Sequence, residues 1–395
     1  MTAWTPAKDK QISTVGYVIL VVLAVVAAAG LVAGIYRLAN GLGATTNLSD
    51  AYPWGLWIVL DFTLIAFSGA AFTLSLLVYI FNLEKYHGVL RQAILTGFLG
   101  YVAVLVILLV DLGRWDRFWA FIVYPNIHSP LFEISWCILL YTFVLSLEVL
   151  PTLFERFNQS RALRTLQRWG IVIVIAGITL STLHQSTLGT LYAAMPYKLN
   201  SLWWTPLLPI MFFLSAVGMG LSATILVALL AGWAFDREVD LDVLGGLAKG
   251  SAWLWTIYLL VKLEHLFFTR QFDEAFALDK YSIAYLAEIG IGVIIPTILY
   301  ALPSVRKSKA GLLVASLFVT GGVLLNRLNA TLIGQTVTQS TWSIQSETVP
   351  APTYTPSLIE WAVLLGVLAV AVLAWFLAAR HLPFFLQESQ EAEAP

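Results

Sequence analysis

The chain is predicted to be an all-α integral membrane protein of about ten transmembrane helices, arranged as a single polytopic domain over residues 1–395. Three observations predict this. Of its residues, 59% are hydrophobic. Only 11% are charged, against roughly 25% in soluble domains. The apolar residues come as continuous runs of about 20 or more, the length that crosses a hydrocarbon core as a helix. Membrane strands would alternate with period two, and these runs do not, so the spans are helices.

The elements follow in order. The first run begins near Val15 and is too long for a signal-peptide core, so 15–36 reads as a retained helix. The second covers 54–80 and the third 92–111, closing on Asp111. Ser129-Pro130, a helix-opening pair, starts the fourth over 129–153. The fifth spans 169–190 and the sixth 203–233, with Pro206 and Pro209 near its start. Runs at 250–268, 281–303 and 310–330 follow. The last, 357–380, opens with Ser357 and Glu360 at capping-box spacing. The longest connection, 331–356, is rich in Ser, Thr and Pro, and the acidic tail Glu388–Pro395 reads as disordered.

Ten spans place both termini on one side. Fourteen Lys and Arg fall on that side, including Lys8, Lys10, Arg156, Arg161, Arg164 and Arg168. Six fall opposite: Arg37, Arg114, Arg117, Lys198, Arg270 and Lys280. Cytoplasmic loops hold the excess, so both termini are expected in the cytoplasm. The longer loops, around 112–128, 191–202, 269–280 and 331–356, then face outward as a docking platform. Trp54, Trp57, Trp115, Trp119, Trp203, Trp204 and Trp361 sit at outer helix ends, where lipid anchoring explains most of them. Net charge −1 carries no nucleic-acid signal. One cysteine, Cys137, is too few for an iron–sulfur cluster or a CxxCH haem. If the chain handles electrons, another subunit must deliver or remove them.

About ten ionisable side chains lie inside the spans, nearly all toward the outer side: Asp61, Asp111, Glu133, His184, Lys262, Glu264, His265, Glu288, Arg327 and Glu360. Glu148 alone lies in the inner half. A charge at mid-bilayer costs ~2.5–3.5 kcal/mol on the insertion scale, so such groups pair, face protein, or line a wet cavity. The expected picture is a polar pocket open toward the outer half. Each residue also has a structural reading. Glu360 caps its helix, and Glu133 complements a helix dipole. Lys262, Glu264 and Arg327 form internal ion pairs. Asp111 pairs with Arg114, and His265 is a hydrogen-bonded core residue. His184 is the hardest to explain structurally. It lies far from a helix end among Thr182, Gln185, Ser186 and Thr187, a ligand-cavity pattern. Glu133 and Glu148 are separated by about 22 Å along one helix, with a net rotation of only ~60°, so both can border one proton lane.

Several stretches resemble a known family. They are Tyr52-Pro53-Trp54-Gly55-Leu56-Trp57, Asp111-Leu112-Gly113-Arg114, Ser129-Pro130-Leu131-Phe132-Glu133, Leu147-Glu148 and Leu183-His184-Gln185-Ser186-Thr187-Leu188-Gly189. Leu202-Trp203-Trp204-Thr205-Pro206-Leu207-Leu208-Pro209, Glu264, Glu288, Asn326-Arg327 and Tyr354-Thr355-Pro356 continue the likeness. In this order they resemble the NrfD/PsrC-type membrane subunits, most closely the HybB-type quinone-reactive ("cytochrome b") subunit of NiFe hydrogenases. The resemblance implies two four-helix bundles flanked by terminal helices. It implies quinone (menaquinone or ubiquinone) bound near the outer face, with no haem or iron–sulfur cluster in the chain. It implies a periplasmic ferredoxin-like iron–sulfur subunit and hydrogenase-like catalytic subunits as partners in the cytoplasmic (inner) membrane. On it, His184 and Glu133 are the catalytic candidates. Asp61, Asp111 and Gln185 join them around quinone, and Glu148, Glu264 and Glu288 transfer protons. No residue is expected to bind a metal. Related subunits occur in Dsr-type sulfur-metabolism complexes, so the donor is left open.

Two other classes compete with a quinone oxidoreductase module. A proton-coupled secondary transporter would use the buried acids as a relay and break its sixth helix at Pro206 and Pro209, but transporters bind substrate near the midplane. A haem-b cytochrome needs two axial histidines per haem, and only His184 and His265 are well placed. The pure protein is expected to show no Soret absorption band; a strong one would establish haem.

Overall fold

A computed structural model describes residues 14–340, 346–350 and 353–384. Lys8, Lys10 and the acidic tail lie outside the described residues. Ten helices among those described are long and apolar enough to cross a membrane: α1 (Thr14–Asn40), α2 (Leu56–Ile80), α3 (Glu84–Asp111), α4 (Pro130–Arg156), α5 (Gly170–Ala193), α6 (Leu208–Phe235), α7 (Leu241–Thr269), α8 (Lys280–Ala301), α9 (Lys309–Ile333) and α10 (Leu358–His381). Each expected run coincides with one of them.

The starts differ where capping decides them. Helix α7 begins well before 250, because the Asp240 carboxylate accepts from the backbone N–H groups of Asp242 and Val243. Helix α6 begins later than 203, with Pro209 in its first turn. The two prolines therefore open α6 rather than break it. Ser357 and Glu360 form the full capping box that their spacing predicts. The connection after α9 carries a small antiparallel hairpin, β1 (Thr336–Ser340) and β2 (Ser346–Pro350), registered from Thr336↔Pro350 to Ser340↔Ser346. Its short Ser- and Thr-rich strands lack the alternating apolar signal that would have announced them.

Helices α2 to α5 close into one four-helix bundle, each packing on the next and α5 returning to α2. Helices α6 to α9 close into a second in the same way. Contacts of α6 with α2 and α5, and of α9 with α2, join the bundles. The terminal helices α1 and α10 pair with each other, and α10 lies against α3. Both therefore sit beside the first bundle.

Lipid tails are as apolar as leucine, so close packing rather than water exclusion holds such helices together. Small residues mark the crossings. A Cβ on Gly30 would stand 2.4 Å from Gly366 Cα, where α1 meets α10. One on Gly292 would stand 2.6 Å from Gly322 Cα, where α8 meets α9. One on Gly220 would stand 2.6 Å from the Gly69 carbonyl carbon, at the contact between bundles. In each case the obstacle is backbone, which cannot rotate away. Gly292→Val is therefore expected to cost about 1–3 kcal/mol or more by overpacking. A fall of several degrees in the detergent unfolding midpoint checks this, with Gly290→Val, where nothing lies within 4 Å of the added Cβ, as the near-neutral control.

Candidate functional site

The first bundle holds the histidine that the sequence singled out. On α5, Ser181, His184, Gln185 and Leu188 recur at helical spacing and all are buried, so they share the inward face. His184 is fully buried. Its Nδ1 is hydrogen-bonded to the Tyr101 phenol of α3 at 2.9 Å. When the phenol donates, the ring proton sits on Nε2. That Nε2 has no partner among the described residues. Gln185 donates from Nε2 to Ile65 O of α2 at 2.9 Å, and its Oε1 is unpartnered. The Tyr101 ring meets the Tyr141 ring of α4 edge-on, with centroids 4.7 Å apart.

Glu133 lies one helical turn outward. Thr187 of α5 donates to Glu133 Oε1 at 2.7 Å, and Glu133 itself is half-buried. Toward the other side, Glu148 faces the same helix: its Oε1 lies 3.4 Å from a Cβ placed on Gly177. Both acids of α4 thus border α5, as their rotation along the helix predicts. Between their levels come Tyr141, Ser181, Tyr101 and His184, with the Ser181 hydroxyl buried beside both phenols. Unsatisfied buried polar atoms are rare in proteins, because each costs ~1–3 kcal/mol. Among the described residues, His184 Nε2 and Gln185 Oε1 are two such atoms on successive residues of α5.

A second polar group lies where α1, α2, α3 and α10 meet. Arg37 at the end of α1 is fully buried and donates from Nη2 to Leu112 O at 2.7 Å. Its charge acts on Asp111. Asp61 is buried on α2, within electrostatic reach of Asp111, and neither of its carboxylate oxygens has a partner among the described residues. Asp111 does not pair with Arg114. Arg114 forks onto Asp116 at 3.0 and 2.8 Å and holds that exposed carboxyl below the usual carboxylate range. Glu360 plays a structural part. Besides forming its capping box, it accepts from Asn47 N at 3.2 Å and from the Tyr354 phenol.

The second bundle has a different polar core. Glu288 of α8 accepts from Trp203 Nε1 at 2.8 Å, Asn326 Nδ2 at 2.7 Å and Asn329 Nδ2 at 3.1 Å, with Lys262 Nζ of α7 at 3.9 Å. Arg327 donates to Asn326 Oδ1 at 2.6 Å and Ser215 Oγ at 2.9 Å, and stacks 3.7 Å over the Phe212 ring. A cavity of about 10 Å³ beside Glu288, Ser215 and Tyr258 is room for about one water. Glu288 and Asn329 each begin a π-helical turn, a wider winding that turns side chains off the regular face.

The structure therefore divides the expected single pocket. It brings His184, Gln185 and Glu133 together and places Glu148 on the same helix pair. Asp61 and Asp111 gather with Arg37 nearer the terminal helices. Glu288 belongs to the other bundle. Glu264 joins none of these groups, because its side of α7 is exposed while Lys262, two positions earlier, points inward. Arg37, read as an outer-loop cation, is a buried member of the Asp111 group. Trp57 and Trp203, read with the lipid anchors, are buried and donate to Glu360 O and Glu288. Tyr101, Tyr141 and Asn329 escaped sequence reasoning because they carry no charge, and Asn326 entered it only as part of a resembling stretch. Their only signal is polarity at core positions of apolar helices.

Glu288→Ala would strip the acceptor from three buried donors and leave Lys262 unpaired. A loss of about 3–5 kcal/mol in stability is expected, read as the unfolding midpoint of the purified protein, with Glu288→Gln losing less.

The family model for "Polysulphide reductase, NrfD" matches residues 44–339. A protein of Nitratidesulfovibrio vulgaris is 33% identical over 339 residues, covering 82% of this chain and 85% of that one. The probable Ni/Fe-hydrogenase 2 b-type cytochrome subunit of Escherichia coli is 28% identical, covering 88% of this chain and 87% of its own. The menaquinone reductase integral membrane subunit of Nitratidesulfovibrio vulgaris is 29% identical, covering 91% and 90%. With ten membrane-spanning helices, a matching model over most of its length and relatives aligned along most of theirs, the chain belongs to the polysulphide reductase NrfD family of multi-pass membrane proteins.

Proposed function

We propose that the chain is the quinone-reactive membrane subunit of a respiratory oxidoreductase complex, and that His184 and Glu133 form its quinone site. One observation carries this reading. His184 is fully buried, held through Nδ1 by Tyr101, and presents an unpartnered Nε2 one turn beneath a half-buried carboxylate. Similarity to a probable Ni/Fe-hydrogenase 2 b-type cytochrome subunit and to a menaquinone reductase integral membrane subunit supports it.

A quinone takes up two protons with two electrons on reduction, so its site needs a donor for the carbonyl oxygen and a group that exchanges protons. Tyr101 fixes the ring orientation and tautomer of His184, and Nε2–H then orients and polarises a quinone oxygen. Glu133 holds or accepts a proton at the mouth of the site, with Thr187 fixing its rotamer. Gln185, with a free Oε1, borders the same space, and Asp61 and Asp111 line its approach from the terminal helices. Glu148 leads protons from the cytoplasmic side along α4 and α5 past Tyr141 and Ser181. Glu288 and the exposed Glu264 are secondary proton-transfer candidates. The same groups serve quinone reduction and quinol oxidation.

Electrons pass to or from a periplasmic ferredoxin-like iron–sulfur subunit and its hydrogenase-like catalytic partner, docked on the outer loops. A sulfur-metabolism complex is the alternative assembly. The chain resides in the cytoplasmic membrane with both termini in the cytoplasm. His184 and His265 lie in different bundles, so they do not form the facing pair that a bis-histidine haem requires.

In the assembled complex, Glu133→Gln and His184→Ala are each expected to lower quinone-linked electron transfer at least ~100-fold. Electron transfer to an artificial acceptor at the catalytic subunit should persist, showing intact assembly. If both variants reduce quinone at the wild-type rate, the site lies elsewhere.

A further inference from the structure

Helices α4 and α5 are joined, at the end away from Glu133, by a short helix, Ser160–Arg168. Its arginines Arg161, Arg164 and Arg168 are all exposed. At 100° per residue they fall within an arc of about 60°. Leu163 and Leu166 are half-buried on the opposite side. The helix contains no acidic residue. Among the described residues, no carboxylate pairs with any of the three arginines. The closest acid along the chain, Glu155, is engaged by Arg91 at 2.7 Å.

The position of this helix is fixed by its tethers. It starts four positions after Arg156, where α4 ends, and only Trp169 separates it from α5. Both neighbours are membrane spans, so the helix is held at the bilayer surface and cannot extend into the aqueous phase. Phe157 and Trp169, 66% and 61% exposed, flank it as interfacial residues do. At that height the abundant anions are lipid phosphates. Guanidinium groups bind such phosphates through paired N–H donors.

We propose that the Ser160–Arg168 helix is a binding site for anionic phospholipid headgroups, with Arg161, Arg164 and Arg168 holding phosphodiester oxygens. Leu163 and Leu166 turn the arginine face outward, toward the headgroups. Occupation ties together the two helices that carry Glu133, Glu148 and His184, at the end opposite Glu133. The inference uses no residue of the quinone site and stands whether or not that reading survives.

The test compares the purified full-length chain with an Arg161→Gln/Arg164→Gln/Arg168→Gln variant and a charge-keeping Lys variant at the same positions. Each is titrated with phosphatidylglycerol or phosphatidylcholine in mixed micelles, reading lipid retained in native mass spectrometry and the unfolding midpoint. Phosphatidylglycerol, and not phosphatidylcholine, should be retained and should raise the midpoint of the wild type. The Gln variant should lose about fivefold in affinity per arginine, roughly 100-fold in all. The Lys variant should keep most of it. Three results overturn the proposal. One is equal phosphatidylglycerol affinity in the wild type and the Gln variant. Another is a midpoint rise reproduced by inorganic phosphate alone, which points to a free anion. The third is unchanged lipid affinity with loss of a partner subunit from the complex, which assigns the arginines to an acidic peptide.

Discussion

A polar group that enters the hydrocarbon layer has no water to fall back on, and the interior of this protein is organised by that constraint. Backbone groups meet it by being helical throughout the spans. Side chains must meet it one by one. In the second bundle Glu288 is surrounded by donors from Trp203, Asn326 and Asn329, and Arg327 is shared between Asn326, Ser215 and the face of Phe212, while Arg327 Nε, Asn329 Oδ1 and Trp255 Nε1 have no partner among the described residues. The first bundle likewise meets it only in part. Among the described residues, His184, Gln185 and Asp61 each keep at least one buried polar atom without a partner. Two bundles of similar architecture thus carry different polar centres, one built on the multiply paired carboxylate Glu288 and one on the buried imidazole His184.

Glycine at the helix crossings makes both centres feasible. Gly292 against Gly322 brings α8 and α9 to backbone contact, and the Glu288 cavity is lined by the same two glycines. Gly220 against Gly69 brings the bundles together. Tyr192 of α5 then reaches Thr331 of α9 at 2.7 Å, and Gln335 donates to the backbone of Trp54 at 2.7 Å. The outer ends of the two bundles are therefore joined by hydrogen bonds as well as by packing. The α5–α6 turn, the α9 end and the chain leading into α2 are thereby held together at one end of the molecule.

Much of the fold was legible in the chain. Run length alone located all ten spans, because only an uninterrupted apolar helix survives in lipid. The capping box at Ser357 and Glu360 and the helix opening at Ser129-Pro130 were legible because caps act over three or four residues. His184 was legible because an imidazole deep in an apolar helix is costly. Less legible were the partners. Trp203 and Trp57 look like interfacial tryptophans in sequence, and Arg37 looks like a loop cation. In each case the deciding contact, with Glu288, Glu360 and Leu112 respectively, comes from a residue at least 75 positions away.

Position along each span was thus determined by the sequence itself, since rise per residue converts residue number directly into height along the helix. Azimuth was decided only by tertiary structure. Which way each side chain points around its helix axis, and which helix it meets, depends on how ten helices pack. That packing separates Glu288 from His184, turns Glu264 outward two positions from an inward Lys262, and sets Tyr101 against His184. Residues of equal depth look alike along the chain; only the arrangement of helices around them decides which partners each one meets.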